Sequence, residues 1–223
     1  MKAKKSLGQN FLRDENILKK IADFADIKNN DLVLEVGPGE GTLTKFILEK
    51  ARKVVSVEKD EKMVEFLKEK FKKEIKNGKF EIICGDILEL ENLTFFTLRP
   101  QNCINQRQKN LKSSCSLSTD ISLLGNSSAR PVGLRKARSQ DFSDFFVKYK
   151  LVGNIPYYIT GAIFKKFLSL ENQPESITFV VQKEVAERIM AKNGKESLLS
   201  ISIKAYGEPK FGGIIKAGSF YPK

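Results

Sequence analysis

A chain of 223 residues with 41% hydrophobic residues is long enough to bury a substantial core, and 39 basic against 27 acidic side chains leave a net charge of +12. The absence of histidine excludes serine–histidine triads, histidine general bases and the usual histidine metal sites; three cysteines (Cys84, Cys103, Cys115) without paired spacing speak against a disulfide scaffold or zinc cluster. No apolar run reaches the length of a membrane span, and the basic start MKAKKSLGQN lacks a secretion signal's apolar stretch, so a soluble cytoplasmic protein with a polyanionic partner such as nucleic acid is expected.

In chain order, Gln9 and Asn10 beside Phe11 and Leu12 read as a simple lead-in or as a flap over a ligand. A helix follows, with Asp14 as N-cap and Ile17, Leu18, Ile21, Phe24 and Ala25 at helical spacing. Leu32, Val33, Leu34 and Val36 predict a strand covered on both faces. Gly37, Gly39 and Gly41 come next, and a helix opening near Thr42 points its unpaired N–H groups at the same turn. The next strand, Val54 to Val57, leads into Glu58, 21 positions after Gly37. A carboxylate there can accept both hydroxyls of an adenosine ribose, which leaves a dinucleotide and S-adenosylmethionine equally open.

A helix with a buried stripe of Met63, Phe66, Leu67, Phe71 and Ile75 is expected over 60–76. Phe80 to Cys84 predicts a third strand, with Asp86 at its carboxyl end either as acceptor for an adenine amine or as a turn cap. Between Arg99 and Gln140 the character changes, with eight basic residues against one acid, so +7 of the net +12, and eight serines without sustained periodicity. Such composition predicts a disordered insertion over 99–144 between two parts of one domain, 1–98 and 145–223, or a basic arm that touches RNA.

Strand–helix alternation resumes with a strand at Lys150 to Gly153, a helix through Ile163 and Phe167, a strand at Ile177 to Val181 and a helix through Val185 and Ile189. The fold class is therefore α/β, a mostly parallel doubly wound sheet of Rossmann-like form. Asn154, Ile155, Pro156 and Tyr157 close the Lys150 strand. An adenine amine is a poor nucleophile because its lone pair is delocalised into the ring. If the Asn154 side-chain oxygen and the Ile155 carbonyl both accept hydrogen bonds from it, the nitrogen is held pyramidal and positioning replaces a base. Pro156 fixes the turn and Tyr157 can stack on the purine. Behind a glycine turn, Glu58 and Asp86, this reads as an amino-methyltransferase site.

SLGQNFLRDENI, EVGPGEGTLT, VEKD, GDIL, NIPYYIT, VQKEVAERI and FYPK, in that order, resemble the ribosomal RNA adenine dimethyltransferase family, with GQNFL and VQKEVAERI favouring its small-subunit type. The resemblance implies S-adenosylmethionine as methyl donor and N6-dimethylation of two adjacent adenines near the 3′ end of small-subunit rRNA, during ribosome biogenesis. Carried over by position, it implies Asn10 and Leu12 closing over the cofactor, Gly37, Gly39 and Gly41 holding its methionine portion, Glu58 its ribose and Asp86 its adenine. Asn154 then lies between cofactor and target, with Tyr157 and Phe220 on the faces of a target base drawn out of its stack. It implies no metal, no membrane and a monomer bound to the immature small subunit.

Two departures accompany the resemblance. Asp86 and Asn154 are 68 positions apart, more than the family connection, and the chain ends at Lys223 just after the Phe-x-Pro motif, so the family's helical C-terminal domain is expected to be absent. Two alternatives follow. One is a non-catalytic rRNA-binding or assembly factor, or an inactive fragment that keeps the cofactor site. The other is a large-subunit rRNA methyltransferase of the macrolide-resistance type.

Overall fold

The sheet begins with Leu32–Val36, here β2, whose five residues are all buried, including Glu35. A strand buried on both faces belongs inside a parallel sheet with helices on either side. A computed structural model places it there and describes residues 10–90 and 148–222, which form one unit. The expected insertion at 99–144 and its two cysteines lie outside the described residues.

Flanking β2 are β1 (Phe11–Leu12), α1 (Glu15–Phe24), α2 (Thr42–Lys50), β3 (Lys53–Glu58), α3 (Glu61–Lys70), α4 (Lys72–Lys76) and β4 (Phe80–Cys84). The second stretch contributes β5 (Lys150–Asn154), α5 (Thr160–Leu168), β6 (Ser176–Val180), α6 (Lys183–Met190), α7 (Leu198–Tyr206) and β7 (Phe220–Tyr221). Five parallel strands pair in the order β4-β3-β2-β5-β6. The chain thus winds outward from β2 on one side and from β5 on the other. The crevice at the carboxyl ends of β2 and β5 is the topological switch point, where open α/β sheets bind ligands.

Val33, Val54 and Val152 turn to one face and join Leu18, Ile47 and Leu67 of α1, α2 and α3 in the main core. Alternation sends the buried Leu34, Val55 and Leu151 to the other face, where a right-handed crossover puts α5 with its buried Ile163 and Phe167. Each such aliphatic side chain contributes roughly 1.5–3 kcal/mol by burial. At the amino edge, Lys150 and Asp31 form a largely buried ion pair at 2.9 Å, fixing the start of β5 against β2. Gly153 is the close-approach residue of that pairing: a Cβ there would stand 2.7 Å from the Val36 carbonyl oxygen.

Asp14 caps α1 as expected, accepting from the N–H groups of Asn16 and Ile17. The single helix expected over 60–76 is instead broken between α3 and α4 at Phe71, whose backbone (φ −112, ψ 29) leaves the helical region. The break lets the Phe71 ring meet Phe80 edge to face, with centroids 5.3 Å apart. Of the buried stripe expected over 60–76, Phe66 is 36% exposed and Ile75 only half-buried, and Phe24, at helical spacing in α1, is 47% exposed. The antiparallel pair β1·β7, with Phe11 opposite Tyr221 and Leu12 opposite Phe220, forms a separate two-stranded ribbon.

Candidate active site

At the carboxyl end of β2, Gly37, Gly39 and Gly41 all adopt left-handed φ values of 65°, 54° and 68°. Only glycine takes this run without strain, and the run turns the chain sharply into α2. The main-chain N–H of Gly37 donates to the Val57 carbonyl at 3.0 Å, so the turn is tied to β3.

Glu58, the last residue of β3, is buried, and its carboxylate accepts from the Gly39 N–H at 3.1 Å and the Asp60 N–H at 2.9 Å. Burial pushes its pKa above the ordinary carboxylate value, against the pull of those N–H groups. Glu58 therefore shapes the glycine turn as well as facing the cavity. Of the two roles left open for Asp86, the structure shows the turn cap, together with an ion pair to Lys59. One oxygen caps the turn after β4 through the Leu88 N–H at 2.9 Å, and the other accepts from the Lys59 ammonium at 2.8 Å. Burial raises its pKa, but Lys59 and the Leu88 N–H outweigh that and hold it below the usual range.

Because Val36 pairs with Gly153, the residues that follow, Gly37 and Asn154, emerge side by side. A Cβ on Gly37 would lie 4.0 Å from the Asn154 carbonyl oxygen. The Asn154 side-chain amide donates to the Asn10 carbonyl at 2.9 Å, which brings the start of the chain over the switch point. Thr42 holds the same segment from below, its hydroxyl donating to the Leu12 carbonyl at 2.9 Å. The Phe11 ring lies over Gly39, leaving no room for a Cβ. Pro156 (φ −59, ψ 134) then turns the chain into a short 3-10 segment where the Tyr157 ring stands 48% exposed.

A cavity of about 1640 Å³ joins these groups. Asn10, Leu12, Gly37, Gly39, Glu58, Asp86, Asn154, Ile155, Pro156, Tyr157 and Phe220 all line it. It continues past the switch point along β6 and the 206–215 segment, so the volume is not that of the switch-point crevice alone. Gly41 is the one expected site residue outside the lining. A Cβ on it would meet Leu67 and Phe71 at 2.6 Å, so its lack of a side chain serves the packing of α3 beneath the turn. Among the described residues no cluster of acidic, cysteine or histidine side chains could hold a metal ion, and no helix is long and apolar enough to cross a membrane.

Three neighbours escaped the sequence reading. Glu35 lies fully buried beneath the turn, one oxygen accepting from the Thr44 and Ser56 hydroxyls, both at 2.8 Å. Burial pushes its pKa to about 7, against the two hydroxyls, and the charge of Glu58 adds to the rise. Glu35 opens the EVGPGEGTLT motif, Lys59 stands inside VEKD and Arg13 inside SLGQNFLRDENI, but none of the three was assigned a role from those motifs.

A parallel sheet whose switch point carries a glycine turn, an acid at the end of the next strand and Asn-Ile-Pro-Tyr on the neighbouring strand is the Rossmann-like fold of S-adenosylmethionine-dependent methyltransferases. The sequence model described as ribosomal RNA adenine dimethylase matches residues 1–223, and the chain belongs to that family. It is 36% identical over 222 residues to ribosomal RNA small subunit methyltransferase A of Dehalococcoides mccartyi, covering 100% of this chain and 59% of that protein. Two solved structures share the fold at 25% identity. A dimethyladenosine transferase from Plasmodium falciparum gives a TM-score of 0.55 over 87% of this chain and 52% of the other. The 23S rRNA methyltransferase ErmE gives 0.54 over 86% and 55%. The chain thus spans about three fifths of the length of the curated relative it matches.

Proposed function

We propose that the chain transfers methyl groups to the exocyclic amines of two adjacent adenines near the 3′ end of small-subunit rRNA. The observation that carries this reading is the convergence of the glycine turn, Glu58, Asp86 and Asn154 on one cavity that Tyr157 and Phe220 also line. S-adenosylmethionine, when bound, supplies an electrophilic methyl group. The residues present fit it: the open face of Gly37 at the turn for the methionine portion, the Glu58 carboxylate for the ribose hydroxyls and Asp86 for the adenine amine. Asn10 and Leu12 close the cavity from above.

On the acceptor side, the Asn154 amide nitrogen is engaged by the Asn10 carbonyl, so its oxygen is the atom left to accept from the target amine. The Ile155 carbonyl is the second acceptor, aimed by the Pro156 turn. Together they hold the amine nitrogen pyramidal with its lone pair turned toward the methyl donor, and no general base is required. The half-exposed Tyr157 ring stacks on one face of the flipped base and Phe220 closes the other.

The likeness to ErmE favours a second reading in which the acceptor is large-subunit rRNA. Both readings are tested by methyl transfer from labelled S-adenosylmethionine to undermethylated small subunits and, in parallel, to large-subunit rRNA. Label in adjacent small-subunit adenines supports the first. Label only in the large-subunit RNA replaces it with the second, and cofactor binding without transfer to either favours an assembly factor.

A further inference from the structure

Arg13 follows β1 and lies in none of the positions that bind or position substrate in the reading above. Its guanidinium grips the Glu40 carboxylate along one edge, Nε to Oε2 at 3.0 Å and Nη2 to Oε1 at 2.7 Å. Glu40 stands between Gly39 and Gly41, within the glycine turn itself. The Arg13 guanidinium carbon also lies 4.2 Å from the centroid of the Tyr221 ring. Tyr221 is the β7 residue next to Phe220, and the Arg13 N–H reaches the Ser219 carbonyl just before that strand, at 3.4 Å. One side chain therefore touches the turn on one edge and, on its face, Tyr221, the neighbour of the cavity-lining Phe220. The planar guanidinium suits both contacts at once, where a lysine ammonium has no fork and a weaker stacking face. The other ties on this segment, Thr42 to Leu12 and Asn154 to Asn10, fasten β1 to the sheet and reach β7 only through the main-chain pairing of the two strands; Arg13 is the side chain that touches the turn and β7 directly.

We infer that Arg13 is a positioning residue that couples the glycine turn to the acceptor wall, so that ligand bound at the turn also fixes Phe220. This deepens the proposed function and rests on it for the identity of the two halves of the cavity. The coupling means that the wall for the target base is set once the turn is filled, which favours cofactor before RNA.

The test is hydrogen exchange on the 223-residue chain with and without S-adenosylhomocysteine, alongside methyl-transfer kinetics. In the unaltered chain the ligand is expected to slow exchange over both 37–42 and 218–222. Arg13→Gln should keep the slowing at 37–42 and lose most of it at 218–222, leaving only what the main-chain pairing of β1 with β7 carries, and Tyr221→Leu should do the same. Arg13→Lys should recover part of it. In turnover, Arg13→Gln should lower kcat by about tenfold or more through misplacement of the wall, with KM for S-adenosylmethionine nearly unchanged. Full ligand protection of 218–222 in Arg13→Gln overturns the inference, because Phe220 is then fixed without the clamp. Coupled protection in an unaltered chain that methylates no rRNA sinks the proposed function and leaves the role of Arg13 standing. No protection at 37–42 in that chain removes both.

Discussion

Asn154 donates its side-chain amide to the main-chain carbonyl of Asn10 across 144 positions of chain, at 2.9 Å. The bond fixes which atom of Asn154 faces the acceptor. In Asn154→Ala both the positioning oxygen and the tie to Asn10 are lost. Methyl transfer should fall by roughly 100-fold or more, the scale of a lost preorganised contact, and S-adenosylmethionine affinity should fall much less, because the Thr42 hydroxyl still holds the segment through Leu12. Asn154→Asp is the sharper variant. It keeps an oxygen for the amine but sets a carboxylate against the Asn10 carbonyl, so it should also lose transfer. Single-turnover methylation beside calorimetry reads both, and full transfer by Asn154→Ala removes the role.

Glu58 serves the turn and the cavity with the same two oxygens. A glutamine there has one acceptor oxygen for two N–H groups, and its own NH2 is turned against the other. Glu58→Gln should therefore weaken S-adenosylmethionine by about 1–3 kcal/mol and also lower the melting temperature. Calorimetry and thermal melts on the same sample check this, and an unchanged dissociation constant takes Glu58 out of the site.

How far the sequence disclosed this site depends on how local each feature is. The glycine turn, Glu58 and Asp86 sit at strand ends that apolar runs make visible, and Asn154 follows from the same pattern. The ribbon of β1 with β7 has two residues per strand and joins opposite ends of the chain, so no periodicity announces it. It is what brings Phe220 to the cavity and Tyr221 against Arg13. The helix α7 was not foreseen because Leu198, Leu199, Ile201 and Ile203 give no narrow apolar stripe, and Leu198 is 81% exposed. Glu35 was hidden for another reason: the Thr44 and Ser56 hydroxyls that make its burial tolerable lie on α2 and β3, out of reach of any local pattern.

Glu35 sets a pH dependence. Its pKa in the fold is about 7 against an ordinary 4.5, so its stabilising effect is complete below about 4.5 and is lost as pH rises through about 7. A shift of that size corresponds to at most about 3 kcal/mol. Glutamine imitates the protonated form, its oxygen accepting from both hydroxyls. The melting temperature of the unaltered chain should therefore fall between pH 5 and 7.5 by more than that of Glu35→Gln, by roughly 6–12 °C. Parallel pH profiles for the two proteins would remove Glu35 as the group responsible.

Gly39 and Gly41 look alike in sequence, yet the structure separates their tasks. Both hold left-handed φ values, so alanine at either costs about 1–2 kcal/mol in backbone strain. At Gly41 the added Cβ also strikes Leu67 and Phe71 at 2.6 Å inside the core, adding roughly 1–3 kcal/mol of overpacking. Gly41→Ala should melt markedly lower while still binding S-adenosylmethionine well below its transition. At Gly39 the Cβ meets only the edge of the Phe11 ring, at 2.9 Å on the cavity side. Gly39→Ala should lose less stability and more cofactor affinity, because displacing Phe11 moves the segment that Asn10 and Leu12 bring over the turn. Melting temperature and dissociation constant measured on both variants decide the matter. The reverse pattern, with Gly41→Ala weak in binding and Gly39→Ala weak in folding, would mean that the cavity has been placed on the wrong side of the turn.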